Sequence, residues 1–421
     1  RLQGDWSSDV CSSDLSWSDA QNTHTRATLD RLDSVGAIRA RVTEIISAQE
    51  PSYSAVHAAG GKLLAMKVQP PRQQPMLVDL NSAFDLSTER VLLDPNTLDA
   101  DGLASIDWFV PSHDGRWVAV SMSKAGSEAG DVTVYDVATG TSTGDVVPRV
   151  NGGTAGGSLA WAADHSGFFY SRYPRAGERP AADLDFHTQV YFHRLGTPTA
   201  VDVYELGGEK PRSSPPLDPT RAWSLGRRSG FEFTRIAEIW LESDAASGRV
   251  LCTVQHGDGG TFALYLRTPG GTWYPLADYG DQVVQAAFGP SNTLYLISRE
   301  QAPRGKILAL SLADGGAWVT QGVRAARTFI PEGPDTVVNQ FWDASALCST
   351  RRALYVTYQL GGPSEIRAFG HQGRPLKSPD QLPIGKVSGV TALDGDRILF
   401  NDVSYLQPPA WYEFDEESGK T

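Results

Sequence analysis

Cysteine is scarce: 421 residues contain three, Cys11, Cys252 and Cys348, with no C-x-x-C pair. That excludes a disulfide framework and a zinc module built on paired cysteines. Cys252 lies within Val250-Leu251-Cys252-Thr253-Val254, an apolar run that suits a buried thiol. No apolar run is long enough to cross a bilayer as a helix. Basic residues are outnumbered 37 to 49, for a net charge of −12, which argues against a surface that neutralises nucleic-acid phosphates. Neither nucleic acid nor membrane is therefore an expected partner, and the acidic balance reads as ordinary solvated exterior.

Helical periodicity is nearly absent as well. It is confined to Trp17–Gln49, where Ala20, Ala27, Leu29 and Leu32, then Ile38, Val42, Ile45 and Ile46, recur at three-to-four spacing. Asp33-Ser34-Val35-Gly36 divides this stretch into two helices, and Pro51 closes it. Residues 1–15 contain Ser-Ser-Asp-Val-Cys-Ser-Ser-Asp-Leu, which resembles translated sequencing-adapter DNA. The stretch has no apolar core of the kind a signal peptide needs, and we exclude it from fold reasoning.

What the chain does have is turns and aromatics: 42 Gly, 26 Pro, 11 Trp, 14 Tyr and 15 Phe. From Tyr53 onward, short apolar runs alternate with Gly, Asp, Asn and Pro. The clearest unit is Ile106-Asp107-Trp108-Phe109-Val110, a turn at Ser112-His113-Asp114-Gly115-Arg116, Trp117-Val118-Ala119-Val120, and Asp131–Asp136. The plan recurs around Leu63–Met66, Phe168–Tyr170, Val250-Leu251, Leu294–Leu296, Leu354–Val356 and Ile398–Phe400, making seven copies. Their spacing is roughly 45 to 60 residues apart from one longer gap near 175–235, the length of a four-stranded blade. The expected fold is all-β, a seven-bladed β-propeller over residues 51–421, preceded by a helical segment over 16–50.

Motifs that could carry chemistry are few. No G-x-S-x-G elbow occurs. The nearest decoy, Gly156-Gly157-Ser158-Leu159-Ala160, leads into Trp161-Ala162-Ala163-Asp164, which reads as a strand and not a helix. Ser158 thus reads as a loop residue before a strand. Ser418-Gly419-Lys420-Thr421 imitates the end of a phosphate loop, but Phe414 stands where the leading Gly belongs, and a turn is expected. Among eight scattered His, His187 and His193 read as one strand face with Gln189 and Tyr191, too far apart to share a metal. Acids cluster in turns such as Asp94-Pro95-Asn96 and Asp394-Gly395-Asp396, where they stabilise turn geometry. Paired carboxylates from different blades meeting at the axis would be needed for glycosidase chemistry, and nothing points to them. No catalytic residue, metal site or cofactor is expected within these residues.

Five stretches taken together resemble the prolyl oligopeptidase family of serine peptidases. They are Trp17–Arg26 (W-x-x-x-Q-N-x-x-T), Val91–Asn96 (VLLDPN), Gly167–Pro174 (GFFYSRYP), Val190–Thr197 (close to YYHRLGT) and Ala302–Leu308 (APRGKIL). They occur in family order. The resemblance implies a two-domain enzyme: residues 16–50 pack on an α/β-hydrolase domain, the propeller intervenes, and the hydrolase with its Ser, Asp and His follows. On that reading the catalytic domain is absent from this chain, which by itself has no peptidase activity. The propeller acts as a gate and filter that admits short peptides, cleaved after proline, and the missing hydrolase domain is its partner. The resemblance also implies that Phe169 lies beside the substrate cavity. The competing assignment is blade core, because Phe168, Phe169 and Tyr170 alternate faces along a strand. Phe233–Glu238, beyond about Leu225, has no secure counterpart in the family. The alternative function is a stand-alone propeller that binds a protein or a ligand.

Overall fold

The computed structural model describes residues 12–47, 50–98, 101–207, 233–338 and 345–421. The chain divides into two compact units: residues 1–52 with 69–73, and residues 53–68 with 74–421. Of the expected adapter stretch 1–15, residues 1–11, with Cys11, lie outside the described part, and the first helix already begins at Ser12.

In the first unit α1 spans Ser12–Leu29 and α2 spans Ser34–Ile46. The break falls at residues 30–33, slightly earlier than the expected Asp33–Gly36, because Gly36 is accommodated inside α2. The periodic apolar residues Leu29, Leu32, Ile38, Val42, Ile45 and Ile46 are all exposed.

The second unit is a seven-bladed propeller. Its antiparallel sheets occupy residues 52–93, 104–151, 159–206, 237–277, 283–330, 336–370 and 386–415, called blades 1 to 7. Each of the seven apolar cores read from the sequence is the second strand of a blade. Val118, Ala119 and Val120 are fully buried, as are Leu294, Leu296, Leu354 and Val356. A strand in that position has a neighbouring blade on each face, so both of its side-chain sets leave water and the run is continuously apolar instead of alternating.

Blades 1 to 5 have four strands in sequence order. The last two depart from the expected plan. In blade 6 the first strand is split into Thr336–Val337 and Leu347–Ser349, and a proline-bearing segment runs along the outermost strand, Ser364–Gly370. Proline has no N–H for a ladder, so side chains substitute: Gln381 Oε1 accepts from Ile366 N (2.6 Å) and its Nε2 donates to Ile366 O (3.0 Å). Blade 7 has three strands, Lys386–Leu393, Arg397–Val403 and Ala410–Asp415, and Asp415 N then donates to Lys420 O as the chain turns back.

Every seam between blades carries a polar tie in addition to apolar packing. Passing round the ring, Arg90 Nη1 donates to Ala138 O (2.6 Å), Trp161 Nε1 to Val110 O (3.0 Å) and Leu241 N to Ser158 Oγ (2.8 Å). Arg249 Nη2 donates to Leu312 O (2.9 Å), Ala346 N to Gln285 Oε1 (2.9 Å) and Arg352 N to Asp396 Oδ1 (3.0 Å). The ring closes where Thr391 Oγ1 of blade 7 donates to Val56 O of blade 1 (3.0 Å). Between blades 1 and 2 the turns meet backbone on backbone. A Cβ on Gly60 would lie 2.1 Å from Asp114 O, so only glycine fits there.

Candidate functional site: the third blade and the propeller axis

In an antiparallel blade the first strand begins, and the second ends, on the same face of the ring. That face is here called the entry face, because the first strand of blade 1 starts on it. The second strand of blade 3, Gly167–Arg172, runs out there into Tyr173-Pro174-Arg175. Tyr173 is buried, and its hydroxyl accepts from Ala155 N (2.8 Å) and lies 3.1 Å from the carbonyls of Gly152 and Gly156, bracing the adjoining loop. Arg172 forms a two-point contact with Glu178, at 2.7 and 3.0 Å, and its guanidinium lies 4.1 Å from the centre of the Tyr191 ring. Neutralisation by Glu178 and stacking on Tyr191 together allow a buried guanidinium at that position.

Within the same strand, side chains alternate between neighbouring blades. Phe168 is fully buried on the blade 2 side against Trp161, with ring centres 5.3 Å apart. Phe169 points to the other side and is 3% exposed, in a cluster with Ala160, Ile239 and Val254. Its ring lies 4.9 Å from that of Phe192, with the Arg267 guanidinium 4.7 Å from its centre. Arg267 is itself fixed by Glu205, at 2.9 and 3.3 Å.

The two histidines read as one strand face are placed differently. The strand begins at Gln189, so His187 lies before it, with a left-handed φ of 56°. That conformation ends any shared face. His193 is in the strand and is 1% exposed: Nδ1 is 2.7 Å from Asp202 Oδ1 and Nε2 is 3.3 Å from Asp145 Oδ1. Asp202 also accepts from Tyr170 Oη (2.6 Å), and Asp145 from Gly196 N (2.6 Å). Burial pulls the imidazole pKa down, but hydrogen bonds and charge from Asp202 and then Asp145 outweigh it, and the net shift is upward. The His-Arg-Leu-Gly stretch is thereby a clasp joining blade 3 to Asp145 in blade 2. Its acids could not be found from sequence, since Asp145 lies 48 residues from its partner.

Ser158 is buried directly before the strand Leu159–Trp161, and its Oγ accepts from Leu241 N. It serves a seam, not a nucleophile's role. Residues 416–419 form the turn after the last strand, with Glu417 N and Ser418 N donating to Asp415 Oδ1 (2.9 and 3.1 Å). The Asp94 turn matches expectation, its Oδ1 accepting from Asn96 N (3.0 Å), whereas Asp396 reaches beyond its own turn to Arg351 and Arg352 of blade 6. Burial raises the thiol pKa of both Cys252 and Cys348, the latter to about 12, so both stay protonated. Among the described residues, no three His, Cys, Asp or Glu side chains gather as a metal site, and no helix is long and apolar enough to cross a membrane.

On the face opposite to entry, turns of blades 2 and 3 meet each other and the first strand of blade 4. His113 Nε2 of blade 2 lies 3.0 Å from Ser243 Oγ of blade 4, so two blades that are not neighbours touch. His165 Nδ1 of blade 3 lies 3.3 Å from Asp114 Oδ2. Glu242 sits one residue along on the innermost strand of blade 4. Burial, with Asp244 adding to it, raises its carboxyl pKa to about 7.

Seven antiparallel sheets tied blade to blade define a β-propeller domain. Residues 4–214 match the family model described as the prolyl oligopeptidase N-terminal beta-propeller domain. A prolyl endopeptidase of Elizabethkingia miricola is 33% identical over 338 residues, covering 79% of this chain and 41% of that protein. Prolyl oligopeptidase A of Amanita bisporigera is 23% identical over 331 residues, covering 75% and 39%. Among solved structures, a prolyl endopeptidase studied for inter-domain dynamics superposes with a TM-score of 0.75 at 21% identity, covering 98% of this chain and 55% of that one. Prolyl oligopeptidase B from Galerina marginata, bound to a 25mer macrocyclization substrate, gives 0.73 at 17%, covering 96% and 54%. The chain belongs to the prolyl oligopeptidase family and comprises its propeller domain. It spans about two fifths of the length of the curated relatives it matches. Leu225, the point beyond which the family pattern was expected to fade, lies outside the described residues; Phe233, just after it, is buried in the same cluster as Phe169.

Proposed function

We propose that this propeller is the substrate-filtering lid of a serine peptidase that cleaves short peptides after proline. The bond-breaking Ser, Asp and His would come from an α/β-hydrolase domain outside these 421 residues, closed against the entry face. What supports filtering is the contact between His113 and Ser243. Contact of blades 2 and 4 past blade 3 narrows the ring on that side, and such narrowing would keep folded proteins from the enclosed space while peptides and water exchange. Enclosure in turn holds a peptide in reactive geometry and keeps bulk water from the acyl intermediate.

The test is expression of the complete reading frame beside the 421-residue chain. The complete protein should hydrolyse a proline-containing peptide and leave the same sequence intact inside a folded protein, and the chain alone should hydrolyse neither. Hydrolysis by the chain alone, or a stop directly after Thr421, would overturn the proposal. Phe169 is carried over as a cavity residue. Phe169→Leu should then raise KM several-fold at unchanged kcat; unchanged KM with lowered thermal stability would assign it to the blade core alone.

A further inference from the structure

The loop from Tyr173 to Thr188 on the entry face carries more cations than its neighbours use. Its acids are each committed. Both Glu178 oxygens are taken by Arg172, and one of them also accepts from Arg175 N (2.7 Å). Asp183 takes Arg235 Nε (2.9 Å), and Asp185 takes Arg149 Nη2 (3.0 Å). The Arg175 guanidinium meets Glu178 through charge alone, since Arg172 holds both of that carboxylate's oxygens. Its Nε and Nη2 are both buried and have no acceptor among the described residues.

Those two nitrogens form one edge of the guanidinium, with parallel N–H bonds spaced to meet the two oxygens of a carboxylate. A buried charged donor pair with nothing to donate to is costly, and it invites explanation by a ligand or ion. The surroundings raise the demand for negative charge. Arg172 and Arg175 both act on the hydroxyls of Tyr170 and Tyr191, opposing the upward pKa shift that burial gives each phenol.

We propose that Arg175 is a carboxylate receptor on the entry face, gripping a peptide substrate through its C-terminal carboxylate or an acidic side chain. This deepens the lid reading and rests on it for the identity of the ligand as a peptide. Its test uses only the 421-residue chain and binding, so its failure would leave the hydrolysis experiment untouched. Calorimetric titration at low salt would compare a blocked Ala-Pro-Ala peptide as free acid, the same peptide as C-terminal amide, and a blocked Ala-Pro-Glu amide.

The free acid or the Glu peptide should bind at least about tenfold tighter than the neutral amide, as one bidentate charge-assisted contact provides. Whichever binds tighter identifies the source of the carboxylate. Arg175→Gln should erase the preference, whereas Arg116→Gln, on the opposite face, should keep it. Arg175→Lys, which retains charge without the fork, should keep only part, and it carries the test if near-ultraviolet circular dichroism shows the Gln variant misfolded. Equal binding of acid and amide, a preference that survives Arg175→Gln, tighter binding of inorganic phosphate than of either acid, or no saturation below about 10 mM would each overturn the assignment.

Discussion

Removing Asp202 is the most informative perturbation of the fold, because one carboxylate there serves two buried partners. Asp202→Ala strands His193 Nδ1 and the Tyr170 hydroxyl, now 2.7 and 2.6 Å from its oxygens, in a site from which water is excluded. Breaking a buried charge pair by deleting one member costs about 3–5 kcal/mol. For a unit of about 370 residues the unfolding entropy is about 0.8 kcal/mol/K, so the melting temperature should fall by about 4–6 °C. The pH dependence gives a second handle. The imidazole pKa is raised in the folded state, so the stabilisation is fully present below its ordinary value of about 6.5 and is lost as pH rises through the folded value. Calorimetric melts of wild type and variant at pH 6 and pH 9 should therefore differ more at pH 6. A shift under about 1 °C, or one that is the same at both pH values, would refute the clasp as an energetic element.

Two further outcomes follow from the seams and the axis. Ser158→Ala removes the acceptor for Leu241 N and should cost about 1–3 kcal/mol, read by thermal denaturation, with hydrolysis by the complete protein unchanged at 25 °C. Glu242 binds its proton more tightly folded than unfolded, so wild-type stability should fall as pH rises from about 4.5 toward 7. Glu242→Gln should flatten that slope and be the more stable by up to about 2 kcal/mol at pH 8, measured by denaturant titration at each pH.

Blade number and order were legible in the linear chain because a second strand covered on both faces must be apolar throughout, wherever it sits in the ring. Leu64, Val120, Phe168, Leu251, Leu296, Tyr355 and Leu399 announce the seven blades without knowledge of any neighbour. Two blades broke the pattern because edge strands are covered by whatever can supply hydrogen bonds. In blade 6 the Gln381 side chain does so, and no periodicity marks it.

His187 was misplaced for a local reason. A left-handed residue ends a strand whatever the spacing of polar residues suggests. The hold of His193 on Asp145 and the contact between His113 and Ser243 across 130 residues were decided only by the closed ring. Periodicity reports what each residue needs from its immediate surroundings. Whether a charge is matched depends on which distant segments ring closure brings against it, and that information is held in no single stretch of the chain.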